Sequence, residues 1–261
     1  MGLRVVVTWN VAGRVRSVPE QAAALGELAP DIVALQEVRA AALGLWRAEL
    51  ERLGYPHVLA SDPPGARPDR RLGVLVAARE PLEEAPSPAL PWPERHLAAV
   101  VGGAFELHDL HAPISSKAEQ VKVRTLEAMH AHLAAPSALP RVLVGDLNTP
   151  QYESREGEVQ TFARTRTGRL RPAFGERHDA AELALVVGLR EHGYVDAFRA
   201  THGYARRDRS WLYPRTRHGY RLDHIIVRGL EVTGCDYVHA WREQGLSDHS
   251  AMWAGFRDAR R

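Results

Sequence analysis

Residues Arg141 to Pro150, RVLVGDLNTP, set out both a structural element and a chemistry. Val142, Leu143 and Val144 form a short apolar run rich in β-branched side chains, and Gly145 ends it, which is the pattern of a buried strand stopping at a turn. Two polar side chains follow at once. Asp146 and Asn148 are two positions apart, so on extended backbone they would project to the same side. A carboxylate there can accept a proton and a carboxamide can donate to an anionic oxygen, which is half of a phosphoryl-transfer site. Asp-Leu-Asn-Thr-Pro is also ordinary turn chemistry, so the remaining segments have to decide between the two.

The same pattern recurs along the chain. Val5 to Val7 read as a first buried strand with Thr8, Trp9 and Asn10 at its end. Ile32 to Leu35 form a second, leading straight into Gln36 and Glu37. Between them, Ser17 and Glu20 have the spacing of a capping box, and Leu25 and Leu28 continue a helical face toward Pro30. From Ala40 to Leu53, the helical spacing of Leu43, Trp46, Leu50 and Leu53 marks core rather than a binding face. Ser61 to Arg71 reads as an exposed loop. Gly73 to Ala78 is a strand, and the five prolines of Pro81 to Pro93 predict a connection. Leu97 to Val101 and Phe105 to Leu110 are strands joined at Gly102 and Gly103, the second ending at His111. Ser116 and Glu119 form another capping box, opening a helix with Leu126, Met129 and Leu133 on one face.

Beyond the opening stretch, periodicity fades from Gln151 to Asp179, where arginines at 164, 166, 169, 171 and 177 suggest a surface excursion. Ala180 to His192 reads as a helix and Tyr194 to Phe198 as a short apolar segment. From Arg206 to Arg221, arginines alternate with Trp211, Tyr213 and Tyr220. That suits a surface that neutralises phosphates and stacks on bases, with Trp211 and Arg215 as candidate substrate contacts. A solvated basic loop with its aromatics turned inward explains the same letters. Leu222 to Val227, Cys235 to Ala240 and Ala251 to Phe256 are the last strands, with Asp248 and His249 just before the final one. Strands alternating with helices predict an α/β sandwich.

The totals bound this reading without deciding it. Residues 1–261 are expected to form one domain, since no low-complexity linker divides them. A hydrophobic content of 45% with 25% charged residues is ordinary for a globular chain, and the formal net charge of +2 neither demands nor excludes an anionic partner. Basic charge is carried almost wholly by arginine, Lys117 and Lys122 being the only lysines. The single cysteine, Cys235, rules out an internal disulfide and favours a reducing compartment. The apolar run in MGLRVVVTWN is too short for a secretory signal, and no segment approaches membrane-spanning length. A cytoplasmic monomer is expected, with no membrane partner.

Collected, the polar strand ends are Asn10, Glu37, His111, Asp146 with Asn148, Asp223, and Asp248 with His249. Strand ends are where rigid scaffolds mount sites. Carboxylates and carboxamides without a cysteine or histidine cluster make an oxygen-rich set, which favours Mg²⁺ or Mn²⁺ over zinc. Asp248 and His249 are adjacent, so on extended backbone they point apart and should hold different jobs.

The segments TWN at 8 to 10, LQE at 35 to 37, GDLN at 145 to 148, RLDHI at 221 to 225 and LSDH at 246 to 249 resemble the endonuclease/exonuclease/phosphatase superfamily. They occur in that family's order and span nearly the whole chain. The resemblance implies a deoxyribonuclease I-like fold: a four-layer α/β sandwich with two packed mixed β-sheets, and a divalent-metal site at one edge. It implies Glu37 as the main metal ligand, with Asn10 and Asp248 close to the ion. Asp146 would orient or deprotonate the attacking water, and Asn148 would hold the scissile phosphate. His249, paired with Asp223, would contact that phosphate too. His111 matches the histidine that the deoxyribonuclease I and phosphatase branches use near the leaving group, whereas His108 is off the pattern and reads as structural or surface.

From Val195 onward, VDAFR, SWLYPRTRHGYRLDHI and CDYVHAWREQGLSDHSAMW look like the exonuclease III type of abasic-site endonuclease, with Trp211 where that branch has an aromatic near DNA. The front half departs from it: that branch reads Gln-Glu-Thr-Lys where this chain has Gln36, Glu37, Val38 and Arg39, and a tyrosine in place of His111. The resemblance therefore implies a Mg²⁺-dependent phosphodiester hydrolase, foremost a DNA endonuclease or exonuclease. The alternative is a phosphatase or phosphodiesterase acting on a small or lipid-borne phosphate.

Overall fold

The computed structural model describes residues 2–63, 72–114, 120–216 and 218–258. In chain order the first half runs β1 (Arg4–Asn10), α1 (Val18–Leu28), β2 (Ile32–Arg39), α2 (Leu43–Arg52), β3 (His57–Ala60), β4 (Leu72–Ala78), β5 (Leu82–Glu84), β6 (His96–Val101) and β7 (Phe105–Leu110). Then follow α3 (Val121–Ala134), β8 (Arg141–Asp146), β9 (Tyr152–Glu153), β10 (Val159–Gln160), α4 (Gly175–Val186), β11 (Val195–Asp196) and α5 (Ala197–His202). The chain closes with β12 (Trp211–Leu212), β13 (Gly219–Tyr220), β14 (Asp223–Arg228), β15 (Leu230–Val238), α6 (His239–Glu243) and β16 (Ala251–Asp258).

Among the described residues these strands build two six-stranded sheets, ordered β15-β16-β1-β2-β4-β3 and β11-β14-β8-β7-β6-β5, and two short ribbons, β9-β10 and β12-β13. Both large sheets are mixed: β1 with β2 and β7 with β8 run parallel, while β1 with β16 and β8 with β14 run antiparallel.

The period-2 alternation of a strand explains the layering. Val6, Ile32 and Ala34 of the first sheet and Val142, Val144, Ile225 and Val227 of the second all enter one shared core between the sheets. Their neighbours turn the other way. Val7, Val33 and Leu35 pack beneath α1 and α2 with Leu25, Trp46 and Leu50. Leu143 and Ile226 pack beneath α3 and α4 with Leu126, Met129, Leu133 and Leu185. The strands read as unbroken apolar runs because both their faces are covered. Burying each such side chain contributes roughly 1.5–3 kcal/mol, so helix, sheet, sheet and helix form the four layers expected.

Several expectations are corrected in detail. Ser17 does stand at the N-cap of α1, but its side chain makes no capping hydrogen bond, and Pro19 instead marks the first turn. The proline-rich Pro81–Pro93 segment contains β5, a three-residue strand at a sheet edge, the one place in a sheet where neighbouring prolines leave no ladder bond unmade. The helix read at Ala180 begins earlier, at Gly175, so Arg177 lies on α4 and bridges to Glu127 of α3 rather than on a surface excursion. The Ser116–Glu119 capping box, and most of the Ser61–Arg71 loop, lie outside the described residues.

Candidate active site

Topology brings the polar strand ends to one edge. Because β1 and β2 are parallel neighbours, Asn10 and Gln36 are register partners. Because β14 runs antiparallel to β8, Asp223 begins its strand directly opposite Asp146, where β8 ends. The Asn10 carboxamide then spans the gap between the sheets, its Nδ2 donating to Asp146 Oδ2 at 3.1 Å.

Local backbone aims these groups. Glu37 lies inside β2 rather than just past it, at a register shift between Gln36 and Val38 where the β2–β4 pairing skips one residue. Its φ of +60° is unusual for a side chain with a Cβ, and such bulges re-aim a residue out of the ladder. Asn148 is not on extended backbone either. With φ +50°, it turns so that its own N–H donates to Asp146 Oδ1 at 2.9 Å while its Nδ2 donates to the Ala112 carbonyl at 2.8 Å. Gly145 has φ +126°, and a Cβ there would stand 2.1 Å from the Leu110 carbonyl oxygen, so only glycine lets β8 pass the end of β7.

Asp146, Asp223 and His249 form the buried heart of the edge: one carboxylate or imidazole atom of each lies within 4.8 Å of the others. His249 Nδ1 donates to Asp223 Oδ2 at 2.8 Å, which leaves Nε2 facing Asp146 Oδ2 at 3.7 Å. Burial works against a charged His249, but Asp223 and then Asp146 outweigh it and push the imidazole up to about 10. Burial likewise pushes the Asp146 carboxyl up to about 7, against the pull of His249 and with the charge of Asp223 adding to the rise. His111 goes the other way. Burial, with Arg95 and His249 beside it, holds its imidazole well below the usual range. Arg95 Nη1 lies 2.9 Å from His111 Nδ1 and 3.1 Å from Nε2, and Nε2 also faces Glu37 Oε1 at 3.6 Å and Asp146 Oδ2 at 3.9 Å.

Asn10, Glu37, His111, Asp146, Asn148, Asp223 and His249 are thus assembled at one edge. Asp248 is exposed beside them, its charge felt by His249, and its Oδ2 accepts from Trp211 Nε1 at 3.2 Å. The divergence of Asp248 and His249 is the one their adjacency implied. Trp211, Tyr213 and Tyr220 do not turn into the core. Trp211 lies parallel to Tyr220 with centroids 6.2 Å apart, Tyr213 stands edge-on to Trp211 at 4.5 Å, and Tyr213 remains 45% exposed. Arg215 is exposed in the turn between β12 and β13.

Supporting residues escaped the sequence reading because each reaches the site from a distant segment. Arg95 sits in the turn just before β6, immediately after what read as a mere connection. Ser210 Oγ accepts from the backbone N–H groups of Leu222 and Asp223, and Tyr237 Oη donates to the Asp223 carbonyl at 2.6 Å. Ser247 Oγ donates to the Asn10 carbonyl at 2.6 Å and accepts from His249 N–H, tying both strand ends together. Gln36 Nε2 donates to Asp109 Oδ1 at 2.6 Å across the sheets. Gln36 and Ser247 did carry a sequence signal, standing inside LQE and LSDH.

Residues 7–249 match the family model described as the Endonuclease/Exonuclease/phosphatase family. The chain belongs to this family. Its members are hydrolases of phosphate esters and depend on a metal. No curated protein matches the sequence. Among solved structures, an AP endonuclease from Archaeoglobus fulgidus is 24% identical with a TM-score of 0.74, over 96% of this chain and 98% of that one. A Neisseria 3′ phosphatase bound to product DNA hairpin is 21% identical with a TM-score of 0.69, over 98% and 100%. An endonuclease/exonuclease/phosphatase from Beutenbergia cavernae is 18% identical with a TM-score of 0.70, over 99% and 72%. These likenesses establish the fold. No helix among the described residues is long and apolar enough to cross a membrane.

The residues present fit a hard divalent cation. The donors at the edge are carboxylate and carboxamide oxygens, and Asp223 Oδ1 is buried with no hydrogen-bond partner among the described residues. Two buried carboxylates crowd a single imidazole here, so even with His249 cationic one negative charge is left that a cation would offset.

Proposed function

We propose that the chain is a Mg²⁺-dependent phosphodiester hydrolase acting on DNA, with Mn²⁺ able to substitute. The observation that carries this reading is the buried Asp146–His249–Asp223 group standing beside the Trp211–Asp248 contact, which joins hydrolytic chemistry to an aromatic ledge. Glu37, with Asn10 and Asp248, would hold the cation, which when bound supplies charge neutralisation at phosphate oxygens.

The chain's own groups do the rest. Asp146, fixed by Asn10 Nδ2 and Asn148 N–H, is held to accept a proton from the attacking water. His249, kept cationic by Asp223, presents Nε2–H to the negative charge that grows on the phosphate. The Asn148 carboxamide is engaged by Ala112 and contributes to phosphate placement by fixing the β8 turn. His111 is buried beside Arg95, so it offers a neutral N–H near the leaving group without adding a second charge. Trp211, Tyr213 and Arg215 provide faces for bases and a cation for the backbone, as single strands and splayed bases require.

A substrate panel tests this. Purified protein with Mg²⁺ is incubated with plasmid, abasic duplex, single-stranded DNA, nucleotides and inositol phosphates, with and without chelator. Metal-dependent cleavage of a DNA substrate, weakening steeply as salt rises, is expected. Turnover confined to inositol phosphates or nucleotides would replace DNA with a small phosphate as substrate.

A further inference from the structure

Away from the catalytic edge, on the helix-covered face of the second sheet, Glu106 and His108 of β7 meet His132 of α3. Glu106 and His108 are two residues apart on one strand and so share a face. His132 comes down from the last turn of α3, its ring edge-on to His108 with centroids 5.1 Å apart. One carboxylate oxygen and one nitrogen from each histidine lie within 4.8 Å of one another. This group shares no residue with the catalytic edge. Glu106 pairs with Arg141 at the start of β8, five residues before Asp146, so roughly 16 Å separates the two positions along the strand.

The nitrogens are what distinguish this group from ordinary packed histidines. His108 is fully buried, which corrects its reading as a possible surface residue, and its Nε2 has no hydrogen-bond partner among the described residues. His132 Nε2 is buried and unpartnered in the same sense. On its other side, His108 Nδ1 lies 3.2 Å from His96 Nε2, and the His96 and His108 rings are stacked at 5.4 Å. If His108 donates through Nδ1 to His96, the lone pair of His108 is on Nε2 and points at His132 and at Glu106 Oε2, 3.6 Å away. That is the tautomer a metal-bound histidine adopts, its second nitrogen donating to a fixed acceptor. Burial holds His96, His108 and His132 below the usual imidazole range, so these rings keep their lone pairs at neutral pH.

The carboxylate is oriented as well. Arg141 Nε donates to Glu106 Oε2 at 2.5 Å and Ser137 Oγ donates to Oε1 at 2.9 Å. The guanidinium opposes a second cation nearby, which sets the affinity below that of a site with thiolate ligands. We propose that Glu106, His108 and His132 bind a zinc-type divalent ion, with His96 as the acceptor that fixes the His108 tautomer. Two imidazoles and a carboxylate suit Zn²⁺ better than Mg²⁺, and three protein ligands leave a fourth position for water. The ion would clip the end of α3 to β7.

The test is equilibrium dialysis of the full chain against Zn²⁺ in a large excess of Mg²⁺, with bound zinc counted by atomic emission. His132 is only half-buried and alanine favours helix, so His132→Ala is the primary variant, with His132→Gln as a second of different volume. The wild-type chain should hold one more Zn²⁺ than either variant and should melt at a higher temperature in zinc than without it. Both variants should keep wild-type Mg²⁺-dependent hydrolysis. Repeating the count in a Glu37→Gln background, which removes the main ligand proposed at the catalytic edge, controls for zinc bound there, and the difference of one ion should persist. Equal zinc counts in wild type and both variants, or a difference that vanishes in that background, would overturn the assignment.

Discussion

Replacing Asp223 by Asn removes the charge that keeps His249 protonated while keeping the volume and an oxygen in reach of Nδ1. In the intact site Asp223 Oδ2 is 2.8 Å from His249 Nδ1, and its charge is the largest influence lifting the imidazole to about 10 against burial. His111, as deeply buried but beside the cations Arg95 and His249, lies well below the usual imidazole range. In Asp223→Asn, Asp146 and Asp248 alone oppose burial, so the cationic form of His249 should be weakened at neutral pH. A unit charge facing another at about 4 Å is worth about 4 kcal/mol at an effective dielectric near 20, and losing one preorganised donor to a developing oxyanion typically costs about 10²–10³ in kcat. Steady-state kinetics on a short DNA duplex should show kcat down by about 10²–10³ with KM nearly unchanged, since the interaction strengthens only as charge grows. Adding His249→Gln in the Asp223→Asn background should cost much less than His249→Gln alone, because the two act as one unit. A kcat within about threefold of wild type, a difference of under 1 kcal/mol, would refute the idea that the cationic form of His249 matters.

Other outcomes follow from neighbouring contacts. Glu37→Gln should move the Mg²⁺ titration of activity to higher concentration, and an unchanged titration would remove Glu37 from the ligand set. Trp211→Ala should weaken cleavage of DNA more than hydrolysis of a small chromogenic diester; equal losses on both would deny the aromatic ledge a role in holding DNA. Burial opposes ionisation of Glu153 and Glu182, but Arg221 with Arg199, and Lys122 with His178, outweigh it and hold both carboxyls at about 2, below the 4.5 of an unperturbed glutamate. Depressed carboxyls stabilise fully above their unfolded value and lose that contribution as pH falls through the folded one, each on the order of 3 kcal/mol. The melting temperature should thus fall steadily from pH 4.5 toward 2, and a flat profile across that window would show that neither group is clamped in the folded chain.

The fold was legible where burial is two-sided. Val5–Val7, Ile32–Leu35, Val142–Val144 and Ile225–Val227 are apolar on consecutive positions because one face meets the other sheet and the other meets helices. The polar residues that end those runs were legible for the same reason, since each marks the point where burial stops. What stayed hidden was set by backbone detail or by distance along the chain. Periodicity cannot announce that Glu37 occupies a bulge at φ +60°, or that Asn148 turns back at φ +50° rather than continuing the strand. Nor can it join Arg95 to His111, Ser210 to Asp223 or Ser247 to Asn10, contacts between segments that meet only after both sheets have packed. β5 was hidden by its prolines, which suit a sheet edge as well as they suit a connection.

The most direct test compares wild type with Asp146→Asn in the same Mg²⁺ buffer, following the rate of P–O bond hydrolysis in duplex and abasic DNA. Asparagine fits the turn and its Oδ1 can still accept from the Asn148 N–H, the hydrogen bond from Asn10 Nδ2 being the one lost, so the fold should be kept and melting should shift little. Turnover should fall by about 10²–10⁴, the share a positioned general base supplies. Hydrolysis by Asp146→Asn within a few-fold of wild type would contradict the claim that this carboxylate activates the attacking water.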